Sequence, residues 1–219
     1  MAEVKREYYP SGELKLEWFE INGIKEGEFK TYYGNGQLSS ISNYVNGKYN
    51  GEYKEYYETG QLYCICNFVN GKPGGEFKRY YGDGQLKEIW NYVNGKKDGE
   101  LKLYHMNGQL SEIAYFVNGN QEGEFKMYYM NGKLNRIGNY YNDLRVGEWR
   151  YYSDNEQLKE ICNYVNGKVE GEYKFYYLNG QLQSICNYVN GMKEGEMKDY
   201  DINGQLIKIT NYVNDKEVK

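Results

Sequence analysis

A period of 24 residues runs through the chain without an insertion or deletion. Its clearest mark is Gly-Gln-Leu, opening at Gly36, Gly60, Gly84, Gly108, Gly180 and Gly204. The same phase holds Gly12 in Ser-Gly-Glu-Leu, Gly132 in Asn-Gly-Lys-Leu and Glu156 in Asn-Glu-Gln-Leu, so nine copies fill 219 residues. A fixed period of this length confines a chain to a stack of like modules, each too small to bury its own apolar surface and each completed by its neighbours. The expectation is one repeat domain over residues 1–219, with cooperative stacking as its source of stability.

Within a copy the pattern is that of strands. Residues 27–48 carry aromatic and β-branched runs punctuated by two Asn-Gly steps, the strongest short-range hairpin signal. Glycine and asparagine recur too often for helix. One strand is expected near residues 28–33, a turn at 34–37, a second strand at 38–45 and a looser turn through 46–51. The fold class that follows is all-β, an elongated single-sheet meander of hairpins extending roughly 80 to 90 Å at about 4.8 Å per strand.

If the Asn-Gly-Lys-x-x-Gly turn leaves Val45 facing Glu52, then Tyr44 faces Tyr53, Asn43 faces Lys54 and Ile41 faces Tyr56. The same rule pairs Phe68 with Phe77, Tyr92 with Leu101, Phe116 with Phe125, Tyr140 with Trp149, and Tyr164 with Tyr173. Alternation sorts the sheet into two faces. One carries Glu28, Lys30, Tyr32, Ile41, Asn43 and Val45, types that scarcely change from copy to copy and read as a solvated charge ladder with lysine stems on tyrosine rings. The other keeps Phe29, Leu38 and Tyr44 as framework but varies at the Thr31, Ser40 and Ser42 slots. Specificity is expected on that variable face. A local change of turn is expected at residues 154–157, where Glu156 replaces glycine, Asn142-Asp143-Leu144 precedes, and the tyrosine pair moves to Tyr151 and Tyr152.

The pattern Tyr-x-Asn-Gly-Lys-x-x-Gly-Glu followed by Tyr-Tyr-x-Asn-Gly-Gln-Leu resembles the MORN repeat, and more closely the variant found in YwqK-like antitoxin-type proteins. Residues 92–100 and 104–110 show it clearly, and the resemblance covers essentially the whole chain. Relatives of this kind occur in bacteria and are abundant in giant viruses of amoebae. The resemblance implies a twisted ribbon of β-hairpins used for protein contacts, self-assembly or, in some relatives, lipid association.

Composition narrows the function classes. A formal charge of −4 from 27 basic and 31 acidic residues, with no basic block, gives nucleic acid little electrostatic reason to bind. No segment reaches the apolar length of a membrane span, and the charged N-terminus enters the repeat at once, so a cytoplasmic protein is expected. Cys66, Cys162 and Cys186 share one slot and, with Cys64, read as free thiols, because equivalent slots lie roughly 9 to 10 Å apart, beyond disulfide reach. His105 stands in a tyrosine slot and reads as an exposed substitution. Catalysis needs a convergent set of unequal groups; this chain repeats the same groups on an open sheet, and neither enzyme, metal nor cofactor is expected.

What remains is a binding surface. In the variable slots Leu103, Met127, Tyr151 and Phe175 succeed one another, with Trp90 in the small-residue slot and Met106, Met130 and Leu178 in nearby turns. Two readings of this stripe stand open: an interface for a protein partner or for a second copy in a homodimer, and a part of the molecule's own core. Open sheet edges near residues 4–8 and 209–213 offer a second place for self-association. The function expected is protein interaction or scaffolding, with a peripheral lipid-associating ribbon as the alternative.

Overall fold

The computed structural model describes residues 1–218. They form strands and turns, with no helix among the described residues. The chain divides into two compact units, Met1–Gly108 and Gln109–Lys219. Each is an open antiparallel sheet of hairpins in which strands pair with their neighbours in sequence. In the first, Ala2–Tyr8, Leu14–Ile21, Ile24–Tyr32 and Leu38–Val45 pair in that order, and Gly51–Tyr56, Leu62–Val69, Lys72–Tyr80 and Leu86–Val93 continue the meander. The second runs in the same way through Gly123–Tyr128, Leu134–Tyr141, Leu144–Tyr152, Leu158–Val165, Gly171–Tyr176, Leu182–Val189, Met192–Tyr200 and Leu206–Val213. The all-β hairpin meander expected from the period is the architecture found.

Two kinds of turn alternate. At the first, Tyr33 N–H donates to the Gln37 carbonyl at 2.8 Å and Gly36 N–H to the Tyr33 carbonyl at 2.9 Å, with Gly36 at φ 81°. That is a type I turn closed by a left-handed residue, the usual three-residue hairpin loop. The second turn is tighter than expected. Asn46 and Gly47 alone, at φ 51° and 74°, close the hairpin, so Val45 pairs with Lys48 and Tyr44 with Tyr49. Positive φ at both central residues is the type I′ geometry that Asn-Gly favours.

This overturns the expected register. Ile41 pairs with Lys54, not Tyr56, and Ser40 with Glu55. The chain gains two residues between Tyr49 and Lys54, and it does so at Asn50 and Gly51. Asn50 N–H bonds the Asn43 carbonyl at 2.8 Å, and Gly51 turns through φ 102°. The second glycine of Asn-Gly-Lys-x-x-Gly thus belongs to a bulge, not to the turn, and its φ is one that a Cβ resists. The other expected pairings fail for the same reason. Phe68 faces Pro73, Tyr92 faces Lys97, Phe116 faces Gln121, Tyr140 faces Arg145 and Tyr164 faces Val169. Aromatic rings still meet, diagonally: Tyr140 and Trp149 lie 5.3 Å apart, and Tyr53 and Phe68 6.0 Å.

The expected change of turn at 154–157 does not occur. Glu156 takes φ 69°, Ser153 N–H bonds the Gln157 carbonyl at 2.9 Å and Glu156 N–H the Ser153 carbonyl at 3.0 Å, the pattern of the glycine turns. Ser153 Oγ adds a bond to the Gln157 carbonyl at 3.1 Å and one to Asn155 Oδ1, which hold a left-handed glutamate that costs roughly 1–2 kcal/mol over glycine. Asn142 and Asp143, at φ 47° and 63°, likewise keep the type I′ form. The tyrosine pair does not slip either. Tyr152 keeps the Tyr32 slot, paired with Leu158 as Tyr32 is with Leu38, and Ser153 takes the place of the second tyrosine.

That second tyrosine ties successive copies together. Tyr33 Oη donates to the Tyr56 carbonyl at 2.6 Å, Tyr57 to Tyr80 at 2.9 Å and Tyr81 to Tyr104 at 2.7 Å. In the second unit Tyr129 reaches Tyr152 at 2.7 Å and Tyr177 reaches Tyr200 at 2.9 Å. Each bond satisfies a strand-end carbonyl one copy further on.

Candidate interaction surface

The two faces divide the work unequally. On the uniform face each glutamate pairs with the cation two residues later in its own strand: Glu28 with Lys30, Glu52 with Lys54, Glu76 with Lys78, Glu124 with Lys126, Glu148 with Arg150 at 2.6 Å and Glu172 with Lys174 at 2.7 Å. The glutamate hydrogen bond holds the Lys78 and Lys126 ammonium groups above the ordinary lysine range. Such exposed pairs contribute only about 0–1 kcal/mol each. The Glu–Lys charge ladder expected from sequence is present.

Burial lies on the variable face. Ser42, Tyr44, Cys64, Cys66, Trp90 and Leu101 are buried in the first unit, and Ala114, Phe125, Trp149, Cys162, Cys186 and Thr210 in the second. All belong to slots that face the same way as Phe29, Ser40, Ser42 or Tyr44. The four cysteines are free, as expected, and burial pushes Cys64 up to about 12 and Cys66 and Cys162 up to about 11. Lysine Nζ atoms also sit over rings on this face, Lys25 at 4.2 Å from Phe29 and Lys97 at 4.2 Å from Trp90.

The five stripe residues lie here, and none is fully exposed. Trp90 is 7 % exposed and stacks on Phe77 at 4.1 Å. Leu103, Met127, Tyr151 and Phe175 are half-buried, Phe175 stacked on Tyr173 at 4.6 Å. Register shows what lies between them. In the first unit Arg79 pairs with Glu88 and Glu88 with Leu103. In the second, Met127 pairs with Arg136, Arg136 with Tyr151, Tyr151 with Glu160 and Glu160 with Phe175. Apolar or aromatic and charged side chains therefore alternate from Met127 to Phe175 in the second unit, whereas in the first the Arg79–Glu88 ion pair sits beside Leu103. Sequence reading missed this because the Ser40 slots interleave with the Thr31 slots only once the bulge sets the register.

The most elaborate point of the face is Trp149, 0 % exposed. Its ring lies against Gly138, where a Cβ would fall 2.2 Å from it, and its indole N–H donates to the Asn139 carbonyl at 3.3 Å. Phe125, Tyr140 and Tyr164 surround it at 5.7, 5.3 and 5.9 Å, and the Arg145 guanidinium caps it at 4.6 Å. Several exposed apolar side chains stand at turn tips, Met106 in one unit and Met130, Leu178 and Ile202 in the other. His105 is half-buried, not exposed, and its carbonyl accepts the Gly108 N–H at 2.9 Å.

The profile of the MORN repeat variant family matches eight consecutive segments, residues 25–46, 49–70, 73–94, 97–118, 121–142, 145–166, 169–190 and 193–214. The chain belongs to the MORN repeat variant family. The MORN match starts after the copy containing Gly12, yet that copy has the same turn, with Tyr9 N–H bonded to the Glu13 carbonyl at 2.8 Å and Tyr9 Oη to the Tyr32 carbonyl at 2.7 Å. A search of curated proteins gave no match. Among solved structures, a TcdB2-TccC3 crystal structure aligns over 96 % of this chain and 14 % of its own at 14 % identity and a TM-score of 0.25. A porin-like protein from Bacteroides uniformis aligns over 97 % and 96 % at 10 % identity and a TM-score of 0.19. The chain thus spans about one seventh of the length of the TcdB2-TccC3 chain it aligns with.

Proposed function

We propose that this MORN-variant chain is a non-enzymatic, cytoplasmic repeat protein that binds another protein, a second copy of itself included, through the variable face. The observation that carries this reading is the lone layer. In each unit strands contact their sequence neighbours, so the aromatic and aliphatic side chains of the variable face are covered sideways by one another and by no second layer of the same unit. A sheet face of this composition is ordinarily packed against another element. The half-buried rows, which mix apolar groups with charges, supply contact area and polar selectivity together, the mix found in protein interfaces.

Light scattering over a concentration series tests self-association. The wild-type chain is expected to rise above the mass of one copy, and Met127→Glu with Phe175→Glu to hold it at one copy with an unchanged far-ultraviolet β signal. Association that survives the double substitution in a folded variant contradicts the assignment to this face. Loss of the β signal in the variant makes the row core alone.

A further inference from the structure

The second unit carries two arginines without a carboxylate. Arg136 and Arg145 stand on neighbouring strands of the variable face, Arg136 opposite Tyr151 and Arg145 opposite Tyr140. Neither forms an ion pair among the described residues, whereas Lys126, Arg150 and Lys174 of the same unit each hold a glutamate. Arg145 Nη1 donates to Tyr164 Oη at 3.1 Å and to Tyr151 Oη at 3.3 Å, and its Nε to Tyr140 Oη at 3.5 Å. The Arg136 guanidinium lies 5.4 Å from the Phe125 ring, and its Nε is buried with no hydrogen-bond partner among the described residues.

The chemistry of that arrangement is one-sided. A guanidinium offers five N–H donors and a tyrosyl hydroxyl that accepts from it still has its own proton to give. Tyr151 Oη and Tyr164 Oη are 3.4 Å apart, so one of these two protons is shared between them and the other is directed away from Arg145. Arg145 donates at Tyr151, and Arg136, one pair away, lies over Phe125, the ring that stacks on Trp149 beneath Arg145. Partial burial of a cation without a counter-charge costs free energy that an anion restores. Two carboxylates share the row: Glu112 lies beyond Met127 from Arg136, and Glu160 lies beyond Tyr151 and accepts the Tyr173 hydroxyl at 2.5 Å.

The site is also peculiar to one repeat. Only Gly138 brings glycine to its slot, where the other copies have Trp18, Ser42, Cys66, Trp90, Ala114, Cys162, Cys186 or Thr210. That glycine admits the Trp149 ring, and the ring is the floor on which Arg145 rests. The Arg145 slot holds lysine in three other copies, Lys25, Lys97 and Lys193, and Tyr49, Pro73, Gln121, Val169 or Glu217 in others, so the planar fork of arginine stands there only at Arg145. This repeat alone combines that glycine, a tryptophan in the Phe29 slot and an arginine in the Lys25 slot.

We propose that Arg136, Arg145 and the Tyr151–Tyr164 hydroxyls form a receptor for an oxyanion, a carboxylate or phosphate group presented by the partner on this face. The planar fork of arginine matches both groups and binds them through paired N–H···O contacts. The proposal rests on the reading of this face as a partner surface, but its test needs no partner: a failed titration leaves the light-scattering result standing, and a monomeric chain leaves the titration standing.

The experiment is calorimetric titration of the full-length chain with benzoate and with phenyl phosphate. One saturable site is expected for at least one of the two, weakening as salt rises, and the tighter ligand identifies the carboxylate or the phosphate as the group recognised. Arg136→Gln is expected to weaken it by about tenfold or more, Arg145→Lys less than Arg145→Gln, since lysine keeps charge but loses the fork. Lys126→Gln on the opposite face is expected to leave binding unchanged. Because the Arg136 guanidinium lies over the buried Phe125 ring, the fold of Arg136→Gln is checked by its thermal midpoint, and Arg136→Lys, which keeps the charge, is titrated beside it. Absence of saturable binding for both anions, or binding unaltered in folded Arg136→Gln, overturns the proposal.

Discussion

Adjacent residues of one strand, Trp149 and Arg150, point to opposite faces and meet opposite environments. Trp149 is enclosed by three rings and an arginine; Arg150 is about half exposed and paired with Glu148 across two residues of the same strand. The contrast holds along each unit. The uniform face is the more regular in sequence and contributes less to holding the sheet, because its ion pairs form in water between near neighbours. The variable face is where side chains are buried, and its variation is that of a core packed differently in each copy. Uniformity in a repeat marks what every copy can share with solvent, and variation marks where each copy must fit its neighbours.

Substitution at Gly138 should break the comparison most severely. Gly138→Ala places a Cβ inside the Trp149 ring, and a loss of about 3 kcal/mol is expected in urea denaturation; a neutral result would mean that the ring is free to leave and the face is not a packed core. Thiol chemistry gives the next effect. Native Cys64, Cys66 and Cys162 are held neutral above their ordinary value of 9.0, so the folded state keeps protons that the unfolded state releases. Stability from these groups is complete below about pH 9 and is lost as pH rises toward 11 and 12. Thiol-reagent titration at pH 8 should find them slow to react until urea is added; rapid labelling of the native chain would place them outside the core.

Smaller effects separate the copies from the faces. Tyr177→Phe removes one inter-copy hydrogen bond to Tyr200 and should cost about 1 kcal/mol in the same denaturation experiment, a contribution that belongs to neither face. At the lower end, Glu76→Gln with Lys78→Gln should change stability by less than about 1 kcal/mol and lose even that in high salt. A larger loss, insensitive to salt, would give the uniform face a structural share that its exposure does not suggest.

Much of the fold was legible in sequence, and the limits are physical. Turn positions followed from Asn-Gly and Gly-Gln-Leu because these act locally, and the two faces followed from alternation. The register did not, since Asn46-Gly47 and Gly51 lie four residues apart and a turn-plus-bulge reads like one longer turn. The Tyr33 ladder was hidden because its hydroxyls bond main-chain carbonyls, which carry no residue signature. Glu156 shows the converse: a local rule predicted a changed turn, and the bonds of Ser153 and Gln157 overrode it. The arginine–tyrosine cluster required the correct register before Arg136, Tyr140, Arg145 and Tyr151 could be placed side by side.

The claim that one face holds the sheet together is tested most directly by paired denaturation of neighbours in the strand Leu144–Tyr152. Trp149→Ala is expected to cost about 3–5 kcal/mol, and Glu148→Ala with Arg150→Ala less than about 1 kcal/mol. Equal losses from the two variants would contradict the account.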